Sequence, residues 1–199
     1  MSNRMRADIQ ALRALAVLSV VVYHAELDWL PSGYLGVDVF FVISGFVITR
    51  LLRAQAETRG QVDLRGFYLR RAWRLLPPAF AVYMACAIAS WFFLARDEAR
   101  DFFAQVLGGI FFAGNMVLAE QTGYFAGEAE LKPLLHIWSL GIEEQFYFLW
   151  PLIFFLRPAY WWPLALGTLL VSLGLYLQLQ DRYPSEAFYY LPFRGWQLL

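Results

Sequence analysis

The stretch that decides the fold is a pair of apolar runs, RALAVLSVVVYH at residues 13–24 and GVDVFFVISGFVI at residues 36–48. Three ionisable residues lie in or beside them: Arg13, His24 and Asp38. The step from Arg13 to His24 is about three helical turns, so both side chains share a face, roughly 16 Å apart. An ionisable side chain within a membrane span costs at least about 2.5 kcal/mol. These residues are therefore candidates for a functional site.

The composition indicates a membrane protein. The 199 residues are 60% hydrophobic and 16% charged, with a mean hydropathy of +0.48, whereas a soluble domain is about half apolar and about a quarter charged. The formal net charge is zero, which argues against a nucleic-acid partner. The single cysteine, Cys86, excludes an intrachain disulfide framework and a cysteine-based metal cluster. We therefore predict an all-α, polytopic transmembrane helical bundle whose partner is the lipid bilayer.

Hydropathy predicts about six hydrophobic segments. They cover residues 9–25, 34–49, 75–95, 102–119, 136–156 and 160–179. Pro77 and Pro78 are expected in the first turn of the third segment, where proline is tolerated. The fourth segment is barely long enough to span the bilayer and is rich in glycine, so it either crosses or re-enters.

Arginine placement predicts the orientation. The polar connection at residues 50–74 carries seven arginines against two acidic residues, and basic loops stay in the cytoplasm. The N-terminus is then cytoplasmic too, and the acidic turn at residues 26–33 is external. The acidic loop at residues 120–133 also looks external, which conflicts with a full crossing by the fourth segment.

The first group of candidate residues is Arg13, His24 and Asp38. We expect Asp38 to enter the second segment at a depth similar to that of His24, where its carboxylate could orient the imidazole as a general base. A simpler interpretation is a snorkelling arginine, an interfacial histidine and an aspartate at a helix start. Gly45 shares the face of Asp38 and should let another backbone come close.

The second group lies in FYLRRAWRLLP at residues 67–77. Arg71 and Arg74 are three residues apart on a helix, so both could grip one polyphosphate at the membrane surface. The alternative is that they only mark topology and contact anionic lipid.

The third group lies in HIWSLGIEEQFY at residues 136–147. His136, Ser139, Glu143 and Tyr147 share one helical face, while Glu144 is rotated by about a third of a turn. Adjacent glutamates beside so apolar a run are expensive unless they face a polar cavity. The alternative is a helix start held at the membrane interface.

Together these motifs resemble the acyltransferase 3 family, integral-membrane O-acyltransferases that modify bacterial surface polysaccharides and related acceptors. Four pieces carry the resemblance in the same order: Arg13 with His24, GVDVFFVISGFVI at 36–48, RRAWRLLP at 70–77, and LLHIWSLGIEEQFY at 134–147. The family's domains are longer, with about ten helices. The resemblance therefore implies that residues 1–199 are the N-terminal part of such a domain, ending before its C-terminal helices.

The resemblance implies a multi-pass protein of the bacterial inner membrane. Its donor would be cytoplasmic acyl-CoA, typically acetyl-CoA, and its acceptor an extracytoplasmic saccharide hydroxyl. The resemblance also assigns roles: His24 and Arg13 as essential residues, Ser139 and Glu143 as site residues, and Arg71 and Arg74 as donor ligands. Asp38 and His136 are added from the shared-face arguments, and no metal is expected. The alternatives are a transporter that uses the buried charges as a proton or substrate pathway, and an inactive membrane scaffold.

Overall fold

The computed structural model describes residues 7–25, 29–122 and 132–199. Within these ranges the chain is helical throughout its regular structure, which agrees with the predicted all-α class. The α-helices are α1 (Ala7–His24), α2 (Gly36–Arg59), α3 (Leu64–Phe93), α4 (Arg96–Ile110), α5 (Gly114–Gln121), α6 (Ile137–Leu149), α7 (Trp161–Leu179), α8 (Pro184–Tyr189) and α9 (Leu191–Arg194). Short 3-10 segments join several of them, including Gly33–Leu35 before α2 and Trp150–Phe155 after α6.

Four segments of the described chain are long and apolar enough to cross a membrane. They are Ala7–His24, Gly33–Arg59, Leu64–Phe93 and Pro158–Leu179. Large apolar side chains on two of them stand almost fully exposed, for example Trp91 and Trp162. Apolar surface on this scale requires hydrocarbon around it. The chain is thus a helical membrane protein, although six crossings are not confirmed.

The polar connection predicted at residues 50–74 is wrong in its length. Helix α2 continues to Arg59, where Gly60 ends it with a left-handed φ of 70°. Helix α3 already begins at Leu64, and the Asp63 side chain caps it by accepting from the Gly66 amide at 2.8 Å. Leucine, alanine, arginine and glutamine favour helix whether or not lipid surrounds them. Hydropathy therefore marks where the apolar surface ends and misses the end of the helix.

The two prolines of α3 also lie elsewhere than predicted. Because α3 starts at Leu64, Pro77 and Pro78 fall in the helix interior and not in its first turn. The basic residues 65–74 form the first turns of the same helix. The arginine cluster is therefore held on a rigid helix instead of a loop.

The fourth hydrophobic segment is a helical hairpin. It breaks at residues 111–113, where Phe112 has a φ of 54°, an uncommon conformation for a residue other than glycine. Beyond the break α5 returns along α4, so that the Gln121 side chain donates to the Asp101 carbonyl at 3.1 Å and accepts from Gln105 at 2.8 Å. The two ends of the segment therefore lie at the same level, as a re-entrant segment requires.

The hairpin is pinned by α6. Gln145 donates to the carbonyl oxygen of Phe112 and to Oδ1 of Asn115, both at 2.8 Å. Asn115 in turn donates to the Tyr189 carbonyl at 2.9 Å. A broken helix is tolerated in a membrane only where protein groups satisfy the freed backbone, and Gln145 does so at the break.

Helix α6 occupies the centre of the fold. It contacts α2, α5, α8 and α9, and its aromatic side chains meet those of neighbouring elements, as in the edge contact of Phe41 with Trp138. Trp150, just after α6, donates to Thr49 of α2 at 2.7 Å. The tail closes over the same region: a Cβ added at Gly45 would overlap the carbonyl oxygen of Leu198. The prediction that a second backbone approaches Gly45 is confirmed.

We predict that Glu120, at the end of α5, lies on the same side of the membrane as Ser32 and opposite Arg59, because the hairpin reverses the chain. The test uses single-cysteine variants Ser32→Cys, Arg59→Cys and Glu120→Cys in a Cys86→Ala background, labelled in intact cells with an impermeant thiol reagent. Labelling of the Ser32 and Glu120 variants together supports the hairpin. Labelling of the Ser32 variant alone, with the Arg59 and Glu120 variants both unlabelled, would show a full crossing.

Candidate active site

The two glutamates of α6 are buried and both have partners. Glu143 is 9% exposed and accepts a short hydrogen bond from the Tyr147 hydroxyl. The Glu144 side chain is 12% exposed and forms a short ion pair with Nη2 of Arg71. An unpaired buried carboxylate would cost several kcal/mol, roughly 3 to 5 on the evidence of broken buried pairs. The partners thus explain how both carboxyl groups are tolerated in an apolar helix.

Arg71 joins these two pairs into one cluster. Its guanidinium carbon lies 3.6 Å from the centroid of the Tyr147 ring, while its Nη2 donates to Glu144. The cluster therefore connects α3 with α6 through two interactions of Arg71: its ion pair with Glu144 and its contact with the face of the Tyr147 ring. We name Arg71, Glu143, Glu144 and Tyr147 the α3–α6 cluster.

A cavity of about 560 Å³ opens beside this cluster, between α1, α2, α3 and α6. Five of the predicted site residues line it: Arg13, Arg71, Arg74, Ser139 and Glu143. Four further polar residues line it as well: Ser44, Arg70, Glu144 and Tyr147. Four arginines face two glutamates across the cavity, so its lining is net basic. Such a cavity suits an anionic ligand with several oxygen acceptors.

Sequence reasoning missed Glu144 as a cavity residue because it considered one face of α6. Both glutamates line the cavity, but Glu143 accepts from Tyr147 on its own helix, whereas Glu144 pairs with Arg71 of α3. Adjacent residues on a buried helix point to different neighbours. The adjacency of the two glutamates was therefore the available signal.

Arg13 lines the cavity from α1, and its guanidinium carbon lies 5.0 Å from the centroid of the Phe40 ring. His24 lies at the opposite end of the same helix and is not among the cavity-lining residues. Its Nδ1 is 2.9 Å from the Val20 carbonyl oxygen. A carbonyl oxygen only accepts, so Nδ1 carries the proton and Nε2 is left as the basic nitrogen.

The predicted pairing of Asp38 with His24 is wrong. Gly36 packs on Ala16 and Ser19 of α1. Asp38 follows two residues later on α2, which runs back along α1. Asp38 therefore lies nearer the N-terminal end of α1 than His24 does. The reason is that a 3-10 turn at Gly33–Leu35 already runs beside the C-terminal end of α1. Among the described residues Asp38 forms an ion pair with Arg194 at 3.1 Å and accepts from Gln197 at 3.0 Å.

Sequence reasoning did not identify Arg194 as a candidate site residue. Its side chain is only 11% exposed, and its guanidinium carbon lies 4.8 Å from the Phe188 ring centroid. It also donates to the Phe188 carbonyl at 3.1 Å. An arginine that is the one charged residue of the stretch 187–199 was the signal, but nothing in the local pattern indicates a partner in α2.

His136 lies at the start of α6, outside the cavity lining. It is the residue before Ile137, and its carbonyl accepts from the Ser139 hydroxyl at 3.2 Å. Of the four residues that share its predicted face, Ser139, Glu143 and Tyr147 reach the cavity. No group of three or more metal-ligating side chains occurs in the described parts of the chain.

A second cavity of about 370 Å³ lies between α6, α7 and the tail. Its lining is almost entirely apolar and includes Phe146, Trp150, Val171 and Leu191. It contains no charged side chain and so cannot bind an anion as the first cavity can.

The fold and the basic cavity define a class: an all-helical membrane protein with ionised residues gathered in its interior. Residues 6–198 match the acyltransferase domain family, Acyl_transf_3, and the chain belongs to that family. The membership predicted from the four motifs is thereby confirmed.

Two relatives illustrate the similarity. The peptidoglycan O-acetyltransferase OatA of Listeria monocytogenes is 33% identical over 211 residues, covering 100% of this chain and 33% of the relative. The O-acetyltransferase OatA of Staphylococcus aureus is 36% identical over 157 residues, covering 76% of this chain and 25% of the relative. The chain thus spans a quarter to a third of the length of these relatives. No solved structure matches it significantly.

We predict that Asp38→Asn destabilises the protein by about 2 kcal/mol, because it leaves the buried Arg194 charge without its counter-ion. The Asp38 side chain is 33% exposed, so the loss should be smaller than for a fully buried ion pair. Thermal unfolding in detergent measures it. Adding Arg194→Gln should recover most of the loss, and Asp181→Asn, at an exposed site, is the control. Equal stability of wild type and Asp38→Asn would contradict the assigned pairing.

Proposed function

We propose that this chain carries the donor site of a membrane O-acetyltransferase. The enzyme would transfer an acetyl group from cytoplasmic acetyl-CoA to a hydroxyl of an extracytoplasmic carbohydrate. The observation that carries the proposal is the cavity in which Arg13, Arg70, Arg71 and Arg74 converge beside two glutamates. Family membership and the names of the two OatA relatives support acetyl transfer as the reaction class.

The arginine asymmetry supports a cytoplasmic donor. The basic residues of the α2–α3 junction mark the cytoplasmic side, and with them the N-terminus. The cavity lies towards this side, because it is lined by the first turns of α3 and by Arg13 in the N-terminal half of α1. A donor whose phosphates stay at the arginines avoids the prohibitive cost of burying them in hydrocarbon. Since the relatives are bacterial, the membrane is proposed to be the bacterial cytoplasmic membrane.

His24 is proposed as the general base for the acceptor hydroxyl. It lies at the end of α1 opposite the N-terminus, and its Nε2 is the basic nitrogen, as argued above. In the proposed step Nε2 takes the hydroxyl proton while the acceptor oxygen bonds to the acetyl carbonyl carbon. The carbon–sulfur bond breaks, and the imidazolium returns the proton to the CoA thiolate. A positioned base of this kind contributes about 10²- to 10⁴-fold to the rate.

The separation of Arg13 and His24 sets the reach that the donor needs. Along α1 it is roughly 16 Å, which is of the order of an extended pantetheine arm. The charged nucleotide can therefore remain at the arginines while the uncharged arm carries the thioester towards His24. Ser139 and Glu143 line the cavity beside the arginines and are proposed to contact the donor.

We predict that Arg74→Ala weakens acetyl-CoA binding about ten- to hundredfold at low salt, as expected for a lost charge-assisted contact. Arg74 is the cleanest variant because within the described residues it takes part in no hydrogen bond or ion pair. Arg71→Ala should have an effect of similar size, and both losses should shrink at high salt. The measurement is isothermal titration of acetyl-CoA into protein held in lipid nanodiscs.

The controls are Arg100→Ala, an arginine outside the cavity, and His24→Ala. Both should bind acetyl-CoA like the wild type, whereas His24→Ala should abolish acetyl transfer. Wild-type affinity in both Arg71 and Arg74 variants would mean that the arginines serve only as topology markers. A wild-type protein that does not bind acetyl-CoA would favour a transporter that uses the same buried charges.

A further inference from the structure

We infer that Tyr147 is a positioning residue for the donor: its ring face holds the Arg71 guanidinium in the plane in which that group meets an anionic ligand. The inference rests on the proposed function, since it takes the ligand of Arg71 to be the phosphate-bearing donor. The positioning itself depends only on the contacts between α3 and α6. The family resemblance gave Tyr147 no role.

The ring and the guanidinium are in close face contact. The guanidinium carbon of Arg71 lies 3.6 Å from the centre of the Tyr147 ring, well inside the ~6 Å range of a cation–π interaction. Tyr147 is 3% exposed, so the contact is shielded from water on the ring side. Such a desolvated contact is strong enough to select one orientation of a long side chain.

The ring is itself fixed. Its hydroxyl donates to Glu143, one helical turn earlier on α6. The other end of the Tyr147 side chain is fixed by the backbone of the buried helix α6. Tyr147 therefore offers Arg71 a rigid surface that does not depend on a ligand.

A ring face orients an arginine without using its hydrogen-bond donors, because the donors lie in the guanidinium plane and the ring lies below it. In the described chain Nη2 of Arg71 donates to Glu144, whereas its buried Nε has no hydrogen-bond partner. Arg71 also lines the cavity. The stacked arginine thus retains in-plane N–H groups that can donate to an oxygen of a bound anion.

Two substitutions separate the ring from the hydroxyl. Tyr147→Phe keeps the face under Arg71 and loses the hydroxyl contacts with Glu143 and Ser44, whereas Tyr147→Leu removes the face. We expect Tyr147→Leu to raise the Kd for acetyl-CoA roughly ten- to thirtyfold. Tyr147→Phe should change it less than about threefold. In an Arg71→Ala background the leucine substitution should add no further loss, because Tyr147 acts through Arg71.

A second readout tests the positioning without any donor. Phenylglyoxal modifies arginine side chains, and mass spectrometry gives the rate at each position. In wild type and Tyr147→Phe the stacked Arg71 should react several-fold more slowly than Arg74, which is exposed. In Tyr147→Leu the two rates should become similar. Tyr83→Leu, which removes a buried tyrosine outside the cavity lining, is the control for general loosening of the fold.

The two readouts distinguish the two proposals. Faster Arg71 modification and weaker acetyl-CoA binding in Tyr147→Leu alone support the inference. An Arg71 rate unchanged in Tyr147→Leu, or raised equally in Tyr83→Leu and Tyr147→Phe, overturns it. If the wild type binds no acetyl-CoA but the modification rates change as expected, the positioning of Arg71 stands and the donor assignment fails.

Discussion

The structure depends on providing polar partners for two adjacent carboxyl groups buried in an apolar helix. Glu143 and Glu144 lie on α6, which contacts α2, α5, α8 and α9. Each needs a partner, because a buried charge without one costs several kcal/mol, of the order of 3 to 5. Glu143 accepts a hydrogen bond from the Tyr147 hydroxyl on its own helix, whereas Glu144 forms an ion pair with Arg71 of α3. The second pair fixes where the basic start of α3 lies.

Once α3 is held there, the basic cavity follows. The residues of its first turns, Arg70 and Arg74, come to the same opening as Arg71, and α1 adds Arg13 from the opposite wall. The other side of α6 is occupied by Gln145, which satisfies the break between α4 and α5. Helix α6 thus supports the cavity with one side and the α4–α5 hairpin with the other.

Much of this could be predicted from the sequence, because it is encoded by local periodicity. The helical class, the ends of α1, and the cavity positions of Arg13, Arg71 and Ser139 follow from hydropathy and from residues that share a helical face. For residues 102–119 the sequence left crossing and re-entry open, because the acidic loop after the segment conflicted with a full crossing. Periodicity succeeds where a side chain's neighbours are set by its own helix.

The errors concern contacts between distant parts of the chain. Asp38 was assigned to His24 because the short turn between α1 and α2 seemed to place them at one level, yet its partner Arg194 is 156 residues away. The partner of Glu144 was missed for the same reason. Helical periodicity gives the angle between Glu144 and Glu143 on α6, but it does not show that Arg71 of α3 lies beside Glu144. The extended ends of α2 and α3 were missed because hydropathy reports lipid contact and not helix formation.

The account separates the two substrates along α1. Arg13 belongs to the basic cavity, while His24 lies outside it at the other end of the helix. A hydroxyl acceptor can then approach His24 without passing the arginines. The apolar cavity beside α7 lacks charged residues and is not required for either substrate in this arrangement.

The most direct test of the donor site is photocrosslinking with an acetyl-CoA analogue that carries a photoreactive group on its adenine, followed by peptide mapping. The account predicts crosslinks within residues 67–75 of α3, removed by excess unlabelled acetyl-CoA, since the nucleotide should lie beside Arg70, Arg71 and Arg74. Competable crosslinks confined to α7 or to the tail around the apolar cavity would contradict it.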